Sequence, residues 1–89
     1  MQQREILAQI DETIAAILAK AKEFPDDRSL QKEKEALQII RSQVSDHWPL
    51  KPKEKADVNI GIYAIRTMEG MFDDLVKRIT TLDQALKSS

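Results

Sequence analysis

The chain has 89 residues, 14 basic and 15 acidic side chains, one histidine and no cysteine. That length makes one domain, near the lower limit at which a hydrophobic core sustains itself unaided. Disulfides and thiolate metal sites are excluded, and a formal charge of −1 spread evenly along the chain is not what holding a nucleic-acid backbone requires. Met1-Gln2-Gln3-Arg4-Glu5 leads into an amphipathic pattern and not an apolar leader, and no apolar run approaches the ~18–20 residues of a membrane span. The expectation is a single cytoplasmic domain over residues 1–89, with neither a nucleic acid nor a membrane as partner.

Leu7, Ile10, Ile14, Ile17, Ala21 and Phe24 recur in alternating steps of three and four, the spacing that lays one apolar ridge along a helix. The pattern predicts a first helix over about residues 2–23, ended by Pro25, because the residue before a proline is pushed out of the helical region. Pro25-Asp26-Asp27 then forms a turn whose carboxylates suit the start of the next helix. That second helix is predicted from about Ser29 to Ser45, with Leu30, Leu37, Ile40 and Val44 inward. So short a connection predicts an antiparallel hairpin.

Asp46-His47-Trp48-Pro49-Leu50-Lys51-Pro52 reads as a stiff connection, with its two prolines three residues apart. A third helix is predicted from near Pro52, a residue suited to a first helical turn. Its ridge runs Ile65, Met68, Phe72, Leu75, Ile79, Leu82, Leu86. Gly61 and Gly70 lie inside it, each costing about 1 kcal/mol relative to alanine. A continuous helix of that length would overhang its partners, so a kink or break is expected near Gly70. The expected fold is all-α: a small antiparallel bundle of three helices, or four if the third divides. Val58-Asn59-Ile60-Gly61-Ile62-Tyr63 also alternates as a strand would. A lone strand would leave its backbone groups unpaired, so helix is preferred.

Little in the chain looks like chemistry. His47 has no cysteine, tyrosine or patterned serine near it in sequence and reads as a loop histidine beside a helix C-terminus. No recognised metal-ligand spacing occurs. Asp11-Glu12 and Asp73-Asp74 are neighbours on helices and read as solvated faces, not as a facing acid/base pair. Pro49-Leu50-Lys51-Pro52 reads as a stiff linker, and Lys51, Lys53 and Lys55, diluted by Glu54 and Asp57, as a solubility feature. No catalytic residue, metal or cofactor is expected. At 100° per residue Ile39 lies about 160° from Leu37, beside Lys32, Glu35 and Gln43, so it is expected to be exposed. Trp48 in the adjoining connection could join it in one apolar patch. Gly70 falls on the outer face beside Arg66, Asp73 and Asp74, where no packing constraint asks for glycine, which points to a bend.

Phe24-Pro25, then Leu30, then Glu33-Lys34-Glu35-Ala36-Leu37-Gln38-Ile39-Ile40-Arg41-Ser42 resembles a family of small helical immunity proteins. These neutralise NAD(P)⁺-degrading toxins delivered by bacterial type VI secretion. The family pattern is an aromatic-Pro turn, a leucine, then a helix with Leu-Gln-x-Ile-Arg-Ser. Asn59-Ile60-Gly61-Ile62-Tyr63-Ala64-Ile65-Arg66 is similar to the family's Leu-Gly-x-Ile-Ala-Val-Lys segment, with one residue extra. The family's acidic, proline-containing break before its last helix has no counterpart here, where the ridge runs on through Met68-Glu69-Gly70-Met71-Phe72.

The resemblance implies a monomeric, non-catalytic protein that binds a cognate toxin domain and occludes its nucleotide cleft. The expected contact residues are Ile39 and Trp48 as apolar anchors, with Glu69, Asp73 and Asp74 facing the basic residues of a phosphate-binding cleft. The competing expectation is a helical chaperone or adaptor for a secreted protein, or a homodimeric interaction module. That class would expose a long apolar groove where an immunity protein buries its ridges.

Overall fold

The computed structural model describes residues 2–88. The chain forms α1 (Gln3–Glu23), α2 (Arg28–Asp46), α3 (Pro52–Asp57), α4 (Ile60–Met68) and α5 (Asp73–Lys87), with no strand among the described residues. α1 stops just before the Phe24-Pro25 turn, and Asp27 caps α2 by accepting the N–H groups of Ser29 at 2.9 Å and Leu30 at 3.2 Å. Both features follow from the turn residues, which satisfy amides that a helix start leaves without intrahelical partners.

The four longer helices form a ring in which α1 touches α2, α2 touches α4, α4 touches α5 and α5 touches α1, while α3 leans on α5. The ring is 34 Å long and 20 × 17 Å across. Gln3 in the first turn of α1 donates to the carbonyl of Val44 in the last turn of α2 at 2.6 Å. Closer to mid-helix, Arg41 grips both carboxylate oxygens of Asp11 at 2.6 and 3.2 Å. At the opposite end the Phe24 and Phe72 rings meet edge to face at 5.2 Å, which ties the α1–α2 turn to the α4–α5 turn.

The core draws on every side of the ring: Ile6, Ile10 and Ile17; Leu30, Leu37, Ile40 and Val44; Ile60, Ala64 and Met68; and Leu75, Ile79, Leu82 and Leu86. Leu50, Val58 and Phe72 close its ends. Each such large side chain contributes about 1.5–3 kcal/mol relative to exposure.

Three expectations need correction. The third helix divides around Gly70 as expected, but it is broken at Val58-Asn59 as well, which makes three segments. Gly70 has φ +85°, the left-handed region, and it turns the chain between α4 and α5. The second break fell in the stretch that alternates like a strand; from Ile60 onward that stretch is helical. The ridge of α1 is also rotated, because this helix packs on both α2 and α5 and needs a wider stripe than a two-helix seam. Ile6, Ile10, Thr13 and Ile17 are buried, Leu7, Ile14 and Ala21 only partly so, and Phe24 is 40% exposed. Finally, Ile65 is 46% exposed and not buried. The break at Gly70 resets the helical phase, so the inward face of α4 is set by Ile60, Gly61, Ala64 and Met68. Among the described residues no helix is long and apolar enough to cross a membrane.

Candidate functional site

Ile39 stands on the outer face of α2 and is 63% exposed. It borders a groove of about 180 Å³ floored by Ala36, Ile40 and Val58, with Gln43, Glu54, Asp57 and Asn59 on the other sides. The groove lies where α2 passes the Val58-Asn59 break between α3 and α4.

Trp48 is not the exposed anchor expected from its sequence position. It is half-buried and packs against the core where the chain leaves α2. Glu69, Asp73 and Asp74 sit at the opposite end of the ring, around the α4–α5 turn. The expected contact residues therefore fall into two regions, because α2 runs most of the molecule's length between them. Asp73 accepts the N–H of Gly70 at 2.6 Å and so closes its own turn, while Asp73 and Asp74 both occupy the first turn of α5, where negative charge complements the helix dipole.

His47 has a partner that sequence proximity did not suggest. Its Nε2 lies 2.6 Å from Oε1 of Glu54, which also accepts the N–H of Lys51 at 2.8 Å. The hydrogen bond from His47 holds the Glu54 carboxyl below its usual value, with the Lys51 amide adding to the effect. The pair fastens the end of α2 to the start of α3. Among the described residues no group of His, Cys, Asp and Glu is arranged to hold a metal ion.

Two carboxyl groups escaped sequence reasoning. Glu33 on α2 is 1% exposed and its Oε2 has no hydrogen-bond partner among the described residues. Burial pushes this carboxyl up to about 8, with the nearby charge of Asp83 adding to the effect. Burial also raises the Tyr63 phenol, with Glu33 and Asp27 contributing. Asp83 on α5 is buried too, but it is satisfied: it accepts the N–H of Gly61 at 2.9 Å and pairs with Lys87 at 2.9 Å. The signal for Glu33 was present, since it falls between Leu30 and Leu37 at steps of three and four, on the buried stripe itself.

Two further grooves are open ones at the surface. One, of about 360 Å³ between α1 and α5, is lined mainly by polar groups, with Arg78 3.7 Å from Glu12 across it. The other, of about 370 Å³, lies at the turn end and is lined by Phe24, Pro25 and Met71 together with Glu23, Asp26 and Asp27. A further apolar feature is Ile62 beside Ile65 on α4, both exposed, at the groove between α4 and α5. Compared with protein-family models, with curated proteins and with solved structures, the chain matches none.

Proposed function

We propose that the chain is an immunity protein: a binding module that engages a cytoplasm-acting antibacterial toxin of the NAD(P)⁺ glycohydrolase type and covers its cleft. Ile39 is the observation that carries this reading. It stands inside Glu33–Ser42, the stretch with the fullest resemblance to such proteins, where Leu37 and Ile40 are buried and Arg41 is tied to Asp11. Those neighbours serve the fold. Ile39 is left over, 63% exposed on a rigid helix and beside a groove. Docking a partner there would bury an apolar side chain already held in place, which lowers the entropic cost of binding.

In this reading the chain acts as a monomer in the cytoplasm, uses no cofactor and performs no chemistry of its own. Ile39 is the apolar anchor. Trp48 supports the neighbouring connection from within, and Glu69, Asp73 and Asp74 contribute from the turn end. A standard interface takes about 800 Å² from each partner, an area one or two helix faces of this size can present.

The test is protection in cells. The reading frames that flank this chain's gene are each expressed with and without the chain, and the NAD(P)⁺ pool is measured; depletion by none of them removes the proposal. Preservation of the pool only when the chain is present supports the proposal, and equal depletion in both cultures removes it.

A second reading draws on Ile62 and Ile65, neighbouring isoleucines exposed on the most apolar helix of the molecule. They would suit a homodimeric interaction module. Sedimentation over a wide concentration range separates the two: a stable dimer that Ile65→Asp dissolves would favour it.

A further inference from the structure

The turn end of the ring carries an apolar pad inside an acidic rim. Met71 is 60% exposed and Phe24 40%, and both line one groove of about 370 Å³. Their exposure is imposed by the turns. Gly70, at φ +85°, with its N–H on Asp73, reverses the chain so that Phe72 enters the core while Met71 points away from it. The edge contact between Phe24 and Phe72 then fixes the second turn beside the first.

The charges in the grooves that hold Met71 are mostly acidic. Asp26, Asp73 and Asp74 line those grooves with it, Asp74 also lines the α1–α5 groove beside Lys77 and Arg78, and no lysine or arginine pairs with any of the three among the described residues. Lys20, the one basic residue lining this region, is 3.9 Å from Glu23. Methionine and phenylalanine are enriched at interface centres, and an acidic rim around them selects a cationic partner surface.

We infer that this turn end is the part of the molecule that enters the toxin's cleft, with Met71 and Phe24 as its apolar tip and the surrounding carboxylates facing cationic groups that bind the dinucleotide's phosphates. The inference rests on the toxin-binding reading above and assigns the inhibitory contact within it. A cleft that holds a pyrophosphate presents arginine, lysine and backbone N–H groups, and carboxylates are the protein's own acceptors for those donors. Ile39 then supplies affinity from the side, while the turn end competes with the substrate.

The experiment measures inhibition of NAD⁺ hydrolysis by whichever purified product of the flanking reading frames hydrolyses NAD⁺, at several NAD⁺ concentrations and two salt concentrations. The parent is compared with Met71→Ser, with Asp26→Lys/Asp74→Lys and with Arg4→Ala as a control at the far end of α1, where Arg4 is exposed, each checked for parent-like helicity. The expected result is competitive inhibition that weakens with salt, a loss of about 30-fold for Met71→Ser or for the charge reversal, and no loss for the control. Inhibition by the parent that both turn-end variants retain overturns this inference and leaves the toxin-binding reading standing. Absence of inhibition and of binding by the parent overturns both.

Discussion

Asp83 caps α4 from a different helix. Its carboxylate accepts the N–H of Gly61 at 2.9 Å, while the residue before α4, Asn59, makes no side-chain cap. A Cβ on Gly61 would lie 3.0 Å from Oδ2 and 3.1 Å from Cγ of Asp83, so glycine is what lets the two helices share this bond. Gly61→Ala should therefore destabilise the domain by about 1–3 kcal/mol, although alanine is the better helix former by about 1 kcal/mol. Asp83→Ala should cost a similar amount by leaving a buried N–H without an acceptor. Urea unfolding of both variants checks this; a Gly61→Ala protein more stable than the parent would show that Asp83 yields freely.

Glu33 sets a pH dependence of unusual sign. Its folded value of about 8 lies above the ordinary 4.5, so the folded state holds a proton that the unfolded chain has lost across that window. Stability from this group is fully present below pH 4.5 and is lost as the pH rises toward 8. Glu33→Gln should remove that loss and gain on the order of a few kcal/mol at pH 8 relative to the parent. Asp11, Asp27 and Glu54 behave oppositely, with values held below their ordinary 3.8 to 4.5, so their contributions fade only at more acid pH. Urea midpoints at pH 5 and pH 8 for parent and Glu33→Gln isolate the effect. Parallel pH profiles would mean that the carboxyl reaches water.

Gly70 is required for its backbone conformation alone. Nothing lies within 4 Å of where its Cβ would be, yet φ is +85°. Substitution should follow the cost of left-handed geometry: about 1–2 kcal/mol for Gly70→Ala, less for Gly70→Asn and more for Gly70→Val. Thermal unfolding of the series tests the order. Equal midpoints for all three would contradict it.

The parts of this fold that the sequence makes legible are those decided by local chemistry. Pro25 ends α1, Asp27 caps α2, Pro52 opens α3 and Gly70 turns the chain, and each works through a residue's own backbone or its nearest neighbours. The inward set Leu30, Leu37, Ile40 and Val44 and the outward Ile39 followed from helical periodicity on a helix that is unbroken. What was hidden depends on distant partners. The break at Val58-Asn59 becomes intelligible only with Asp83, 22 residues beyond Gly61, accepting the Gly61 amide in the first turn of α4. Ile65 was misplaced because a three-four spacing carried across Gly70 by coincidence, with no helix to enforce the phase. His47 does sit at the C-terminus of α2, but its partner Glu54 and the packing of Trp48 against the core appear only in three dimensions.

At the candidate surface the sequence located Ile39 and the acidic group Glu69, Asp73 and Asp74. It did not show that Met71 and Phe24 would be exposed together, since that requires two turns far apart in the chain to meet through Phe24 and Phe72.

Whether Ile39 anchors a toxin is read out by calorimetric titration of the flanking gene product that depletes NAD(P)⁺ with the parent and with Ile39→Asp. The expected result is saturable one-to-one binding by the parent and a loss of about 2 kcal/mol or more in the variant, with its unfolding midpoint unchanged because Ile39 takes no part in the core. Parent-like binding by Ile39→Asp, or no heat of binding from the parent, would contradict it.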